Sequence, residues 1–180
     1  MKHQSLFVKA LKQSDSKDEA FTRLVQEYKE RLYWHIRKIV LDHDDANDVV
    51  QNTFIKVHLN IENFNENSTL FTWMYRIATN EALNFIKSKA KKIGLKNEEW
   101  IEAIADNLEA DPFFDGDEAA LILQKEISKL PEKQRIVFNM RYFDGMNYNS
   151  ISEILVTSVG ALKASYHHAV KKIKTKLTND

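Results

Sequence analysis

The sequence predicts an all-α protein made of two small helical domains joined by an acidic linker. The 180 residues include four glycines and two prolines, so few positions favour the tight turns that join antiparallel strands. Apolar residues recur instead at spacings of three and four, the period of an amphipathic helix. Residues 1–92 carry 15 basic and 12 acidic side chains, residues 93–118 carry 1 and 9, and residues 119–180 carry 10 and 5. These shifts delimit a first domain (1–92), an extended linker (93–118) and a second domain (119–180).

The composition excludes several classes of function. The absence of cysteine excludes disulfides, cysteine-ligated zinc, iron–sulfur clusters and thiol nucleophiles. The four glycines are isolated, so none of them belongs to a GxxxxGK or GxGxxG phosphate-binding loop. No apolar run approaches the roughly 18 residues of a spanning helix, and residues 1–13 lack the features of a secretory signal. We therefore expect a cytoplasmic protein that binds no cofactor or metal ion.

Two helices are predicted at the start of the first domain. One covers residues 18–41, and the second begins within the acidic cluster at 42–48. Short polar or acidic side chains are expected to cap the free backbone amides of each helix. The candidates are Ser14, Asp15 and Ser16 for the first helix, and Asp44 and Asp45 for the second. The predicted apolar faces comprise Phe21, Leu24, Val25, Tyr28, Leu32, Ile36 and Ile39 in the first helix, and Ala46, Val49, Val50, Phe54, Val57 and Ile61 in the second.

A third helix, from residue 70 to about 92, follows a polar loop at 63–68 and is capped by Ser68 or Thr69. The side chains expected to face inward are Phe71, Trp73, Met74, Ile77, Ala78 and Ala82. The other sides carry Tyr75, Arg76, Thr79, Asn80, Leu83, Asn84 and Lys87. Aromatic side chains beside amides and cations are typical of surfaces that hold unstacked bases, with stacking worth about 1–3 kcal/mol per base. Aromatic residues at helical spacing are more often core residues than stacking platforms, so composition alone only suggests a surface for bases.

The second domain ends in a helix-turn-helix pattern. Pro131 opens a helix that stops at residues 144–145, and Asn147 caps a short helix before the turn at 156–160. Helical periodicity then resumes over 161–177, with lysines and histidines on its exposed side. The second helix of such a pair lies in the major groove of DNA. The residues expected to meet base edges are Val159, Lys163, Ala164, His167 and His168; a simply solvated basic helix is the alternative.

Four blocks of sequence resemble the sigma factors of bacterial RNA polymerase. The first two, similar to sigma region 2, are DDANDVVQNTF at 44–54 and FTWMYRIATN at 71–80. The other two, similar to sigma region 4, are LPEKQRIVFNMRYFDG at 130–145 and ISEILVTSVGALKASYHHAVKKI at 151–173. The short length and the lack of a sizeable domain between the regions are similar to the extracytoplasmic-function (ECF) group of the sigma-70 family.

This resemblance implies a function in transcription initiation. It implies a non-enzymatic subunit that binds core polymerase through the clamp coiled coil and flap, and directs promoter recognition and melting. The implied DNA is duplex at the minus-35 element and single-stranded at the minus-10 element. The linker is implied to occupy the nucleic-acid channels of the polymerase, and an anti-sigma factor is a further implied partner.

The resemblance also assigns residues to three surfaces. The implied polymerase contacts are Asp44, Asp45, Asp48, Gln51 and Phe54. The implied minus-10 contacts are Phe64, Asn65, Asn67, Ser68, Thr69, Trp73, Arg76, Asn80, Asn84 and Lys87. The implied minus-35 contacts are Ser158, Val159, Gly160, Lys163, Ala164, His167, His168 and Lys171. The sequence departs from the usual pattern at Val156 (usually Gly), Val159 (usually an acid), and Ser165 and Val170 (usually Arg).

Two other functions fit parts of the sequence. A helix-turn-helix regulator would bind duplex DNA as a dimer on a palindrome and would need no polymerase-docking surface. A metal-dependent enzyme would use the cluster at 43–45, with ligands drawn from His35, His43, Asp44, Asp45, His58 and Glu62. Such a cluster at a helix start is more often a cap than a metal site.

Overall fold

The computed structural model describes residues 2–114 and 116–178, and over these residues it is all α, with no strand. The prediction of an all-α fold is therefore confirmed. Nine helices are described: α1 (Lys2–Lys12), α2 (Lys17–Val40), α3 (His43–Asn60), α4 (Leu70–Lys92), α5 (Asn97–Asp106), α6 (Glu118–Ser128), α7 (Glu132–Tyr142), α8 (Tyr148–Leu155) and α9 (Val159–Leu177). None of these helices is both long and apolar enough to cross a bilayer.

The first domain is built on the mutual packing of α2, α3 and α4. Their facing sides bury Leu32, Ile36, Val49 and Ala78, as the three- and four-residue spacing predicts. Helix α1, which the sequence analysis does not predict, lies on α2. It adds Val8 and Leu11 to a neighbouring cluster that contains Leu24, Val57, Ile61, Phe64, Leu70 and Met74.

The helix starts explain how the chain turns between these helices. Leu41 ends α2 in the left-handed region at φ 66°, and Asp42 then accepts from the backbone N–H of Asp45 at 2.8 Å. Asp42 is therefore the cap of α3, and the prediction of Asp44 or Asp45 is wrong because the helix begins at His43, so that its cap lies two residues before Asp44. Thr69 caps α4 as predicted, accepting from the N–H of Thr72 at 3.1 Å. Ser16 precedes α2 but donates to the carbonyl of Ala10 at 2.9 Å, which ties α1 to α2.

The acidic segment 93–118 is folded, contrary to the prediction of an extended linker. It contains α5 and a 3-10 turn at Leu108–Ala110, and α5 packs between α4 and α6. Ile101, Ala105 and Leu108 are buried in the main core. Seven of its nine acids are exposed, namely Glu98, Glu99, Glu102, Asp106, Glu109, Asp117 and Glu118, whereas Asp111 pairs with Arg37. An apolar stripe at helical spacing thus overrides the mutual repulsion of the charges, since those charges stay in water.

The two domains share one apolar core. Helix α7 packs on α2, and α8 packs on α4, so that Ile136, Ile151 and Ile154 of the second domain belong to the same cluster as Ile36. Tyr75, which the sequence analysis places on an outer side of its helix, is buried in this shared core, where its ring packs on His35 of α2 with ring centres 4.8 Å apart. Burial raises the pKa of Tyr75 to about 12.

The second domain has a further cluster of its own where α6 and α7 meet α9. It comprises Ile127, Leu130, Phe138, Ala169 and Ile173. Asn147 caps α8 as predicted, accepting from the N–H of Ser150 at 2.9 Å, and Ser158 caps α9. Helix α9 begins at Val159, two residues before the predicted restart of helical periodicity.

The turn between α8 and α9 contains a left-handed valine. Val156 ends α8 at φ 50° and ψ 50°, and its side chain is 80% exposed. A residue with a Cβ pays about 1–2 kcal/mol in this region, whereas glycine pays almost nothing. Because the side chain makes little contact, nothing in the packing offsets this cost.

Val156→Gly is therefore expected to raise the free energy of unfolding by about 1 kcal/mol, after the greater flexibility of glycine in the unfolded chain is subtracted. Urea unfolding followed by circular dichroism measures the change. Ala164→Gly, at an exposed right-handed position of α9, is the control and should lower stability by about 0.5–1 kcal/mol. Equal destabilisation by the two variants would show that Val156 is not strained.

The folded state of the acidic segment makes a second prediction. Ile101→Ala removes a fully buried side chain and is expected to cost about 2–5 kcal/mol of stability in the same assay. Ile93→Ala is the matched control, because that side chain is 54% exposed and should change stability by no more than about 0.5 kcal/mol. A negligible effect of Ile101→Ala would mean that α5 is not packed in solution.

Candidate functional site

An open apolar groove of about 590 Å³ runs between α2 and α3. Phe21 and Phe54 meet edge to face in it, with ring centres 6.3 Å apart. Ile55 and Leu59, one turn apart on α3, line the groove and are 51% and 69% exposed. Exposed apolar side chains next to polar ones are typical of a surface that binds another protein.

Three of the five predicted polymerase contacts line this groove. Asp48 and Gln51 are exposed there, and Phe54 lines it although its ring is largely buried. Asp44 is exposed but does not line the groove. Asp45 is buried, and its carboxylate lies 3.0 Å from the ammonium of Lys89. Burial raises the pKa of Asp45, although the contact with Lys89 acts in the opposite direction. The carboxylate of Asp45 thus forms an ion pair within the first domain and is not exposed for a contact with polymerase.

The sequence analysis missed Ile55 and Leu59 as members of this surface. Both lie outside the buried stripe of α3, at a spacing of four residues on a side otherwise rich in polar residues. Two large apolar residues at that spacing on a polar face were the available signal.

The predicted minus-10 contacts divide between a loop and one face of α4. Asn65 and Asn67 are exposed in the loop, and Ser68 is half-buried. The hydroxyl of Thr69 caps α4 by accepting a hydrogen bond from the backbone N–H of Thr72. Phe64 is 2% exposed and packs on Trp73 with ring centres 5.1 Å apart. Phe64 is therefore a core residue that offers no surface to a base in this structure, a correction to the predicted set.

The other five predicted contacts form a single stripe along α4, because they are spaced by three or four residues. They are Trp73, Arg76, Asn80, Asn84 and Lys87. Asn80, Asn84 and Lys87 are exposed, and Trp73 is half-buried. The guanidinium of Arg76 donates to the backbone carbonyl of Glu153 on α8 at 2.6 Å. The second domain therefore covers part of this stripe.

All eight predicted minus-35 contacts lie together on α9 or at its capping residue. Lys163, Ala164, His167, His168 and Lys171 are exposed, whereas Leu162, Ala169 and Ile173 face the core of the domain. Ser158 uses its hydroxyl as the cap of the helix, accepting from the N–H of Ala161 at 3.3 Å. The ammonium of Lys163 lies 5.9 Å from the ring centre of Tyr148 on α8. This arrangement presents a basic helix face at the end of a helix-turn-helix.

The residues considered as metal ligands are not brought together. In the described part of the chain, no group of three or more His, Cys, Asp or Glu residues has the geometry to hold an ion. His43 contacts the hydroxyl of Tyr33 at 2.7 Å and stacks on Phe113, with ring centres 3.6 Å apart. His58 packs on Phe21, and His35 lies at the contact between the domains.

Comparison with known proteins places both halves of the chain in one family. The family described as Sigma-70 region 2 matches residues 24–92, and that described as Sigma-70, region 4 matches residues 120–173. The chain is 29% identical over 178 residues to the ECF RNA polymerase sigma factor SigW of Bacillus subtilis (strain 168), covering 94% of each protein. It is 30% identical over 180 residues to the ECF RNA polymerase sigma-E factor of Haemophilus influenzae (strain Rd), covering 94% of this chain and 93% of that protein.

Two solved structures have the same fold. The structure of CnrH in complex with the cytosolic domain of CnrY matches with a TM-score of 0.71 at 21% identity, covering 98% of this chain and 97% of that one. The sigma factor RpoE, in complex with the anti-sigma factor NepR from Bartonella quintana, matches with a TM-score of 0.68 at 18% identity, covering 89% of this chain and 98% of that one. Together with the two region matches and the relatives aligned over most of their length, these likenesses lead to one conclusion: the chain belongs to the ECF group of the sigma-70 family of RNA polymerase sigma factors.

Proposed function

We propose that this protein binds core RNA polymerase in the cytoplasm and directs it to promoters, while contributing no catalytic group of its own. The observation that carries the proposal is the presence, in one chain, of an exposed apolar groove and two separate faces suited to DNA. A helix-turn-helix regulator needs a face that binds duplex DNA, such as the exposed face of α9, but it has no use for the groove. The names of the relatives, RNA polymerase sigma factors, support the same function.

The groove between α2 and α3 is proposed as the docking site for the polymerase clamp coiled coil. An amphipathic helix laid in a groove buries its own apolar side chains against exposed apolar ones, here Ile55 and Leu59. Asp48 and Gln51 add polar contacts that fix the orientation of the partner. The polymerase flap is proposed as a second contact, made by the second domain.

The stripe on α4 and the loop before it are proposed as the site that holds the melted minus-10 strand. Separating a base from its stack costs a few kcal/mol, so a surface that binds only the separated strand shifts the equilibrium towards melting. The amides of Asn80 and Asn84 supply hydrogen bonds to bases, and Lys87 supplies charge for the phosphates. No nucleotide hydrolysis is required for this step.

Helix α9 is proposed to read the minus-35 element as duplex DNA. Its exposed face carries Lys163, His167 and His168 towards base edges, and Lys171 lies where a phosphate contact is expected. Ser165 and Val170 are half-buried rather than arginines on the surface, so the phosphate contacts that arginine would supply are absent at these positions. An anti-sigma factor is proposed as a partner, since both solved relatives were captured in complexes, one of them named as an anti-sigma complex.

Reconstitution with core polymerase tests the function and the groove together. The purified chain is expected to confer discrete start sites on genomic DNA, mapped by sequencing the 5′ ends of the transcripts. Leu59→Glu places a charge on the groove and should weaken binding to the core by about tenfold or more, equivalent to about 1.4 kcal/mol. Leu6→Glu, on α1 at nearly the same exposure, is the control and should bind as the parent does. The absence of any start-site choice would reject the proposed function.

The recognition helix makes a separate prediction on a promoter found in that way. Lys163→Ala should reduce discrimination between the natural and a scrambled minus-35 element by about 1–3 kcal/mol, the worth of one base contact. Lys176→Ala, exposed near the end of α9, should affect both templates equally, as a phosphate contact does. Initiation rates on the two templates measure the difference. Equal effects of Lys163→Ala on both would reassign that residue to phosphate binding.

A further inference from the structure

A buried ionic cluster joins the two domains. Asp144, in the loop after α7, places one carboxylate oxygen 2.7 Å from Nδ1 of His35 and the other 3.0 Å from the ammonium of Lys38. His35 is 1% exposed and the Asp144 side chain is 8% exposed. Both partners of Asp144 belong to α2, so the cluster exists only when the second domain lies against the first.

The hydrogen bonds around His35 are complete in this arrangement. Thr79 on α4 donates its hydroxyl proton to the carbonyl of Tyr75 at 2.7 Å, which leaves its oxygen to accept from Nε2 of His35 at 2.9 Å. The carboxylate of Asp144 lies against Nδ1 of His35 on one side and the ammonium of Lys38 on the other. Burial raises the pKa of Asp144, but the hydrogen bonds and charges of His35 and Lys38 outweigh it and hold that pKa below its ordinary value.

Two further polar contacts close the same seam. Asn139 on α7 donates to the backbone carbonyl of Lys38 at 3.0 Å, and Arg76 on α4 donates to the carbonyl of Glu153 on α8. Arg76 belongs to the stripe proposed to hold the minus-10 strand. In the closed arrangement its guanidinium is therefore already engaged by α8.

The closed chain is also too short for the promoter. The numbers in their names place the minus-35 and minus-10 elements about 25 base pairs apart. At about 3.4 Å per base pair, this distance is roughly 85 Å of B-form DNA. A compact chain of 180 residues has a radius of gyration of about 16 Å. The α9 face and the α4 stripe cannot reach both elements until the domains separate.

We propose that the cluster of Asp144 with His35 and Lys38 is an autoinhibitory clasp that keeps the two domains closed until core polymerase or promoter DNA separates them. The inhibitory role rests on the function proposed above, whereas the closing role does not. An ionic cluster suits a reversible contact, because each charged group is stable in the seam only with its partners and regains water when the seam opens.

Distances between the domains test the closing role without polymerase. The chain has no cysteine, so spin labels at the Asn52→Cys and Lys174→Cys positions report one distance by pulsed electron resonance. Asp144→Asn is expected to shift the equilibrium from the closed towards the open arrangement. The fraction of long distances should therefore rise about fivefold or more. Glu118→Gln removes an exposed acid at the start of α6, away from the seam contacts named above, and should leave the distances unchanged. Identical distances in both variants would overturn the clasp.

A covalent lock tests the inhibitory role. Trp34 and Phe143 are exposed and line the same crevice beside the cluster. A Trp34→Cys, Phe143→Cys chain joined by a reducible bis-maleimide should bind core polymerase about tenfold or more slowly, and reduction of the linker should restore the rate. An equal rate before and after reduction would overturn autoinhibition. If the parent chain does not bind the core at all, the proposed function fails instead, and the distance measurement still decides the closing role.

Discussion

The packing of α2 against α1, α3, α4 and α7 is the interaction on which the rest of the structure depends. One side of this helix supplies Phe21 and Val25 to the groove with α3. Its last turns supply His35 and Lys38 to the seam with the second domain. Since α2 is a continuous helix of 24 residues, the groove and the seam are held at a fixed separation on one rigid element. A displacement of α2 would disturb both at once.

Each domain keeps a core that does not depend on the seam. The cluster around Leu24, Met74 and Phe64 lies wholly within the first domain, and the cluster around Phe138 and Ala169 lies wholly within the second. The shared cluster is the part that separation would divide. Both units therefore have apolar packing of their own to support their folds when they act on separate stretches of DNA.

The sequence predicted the elements whose signals are local. Apolar spacing predicted α2, α3, α4, α7, α8 and α9, and the caps at Thr69 and Asn147 followed from short polar side chains before a helix. The α9 surface was predictable for the same reason. Tyr75 was misplaced because its ring packs on His35 of α2, 40 residues earlier in the chain, and no local pattern reports such a contact. Helix α1 escaped prediction because its few buried residues, Val8 and Leu11, are too sparse to mark a stripe.

The acidic segment has to exist in two forms if the domains are to part. Arg37 pairs with Asp111 and His43 stacks on Phe113, so the segment is fastened to the first domain almost to its end. With α5 in place and the chain held as far as Phe113, the four residues 114–117 before α6 could span at most roughly 15 Å at about 3.4 Å per residue. Released from α4 and fully stretched, residues 93–118 reach about 90 Å, a span comparable to the spacing of the promoter elements. The mutual repulsion of its negative charges would then keep this segment extended. The same residues would thus form a helix in the closed chain and an extended tether in the open one.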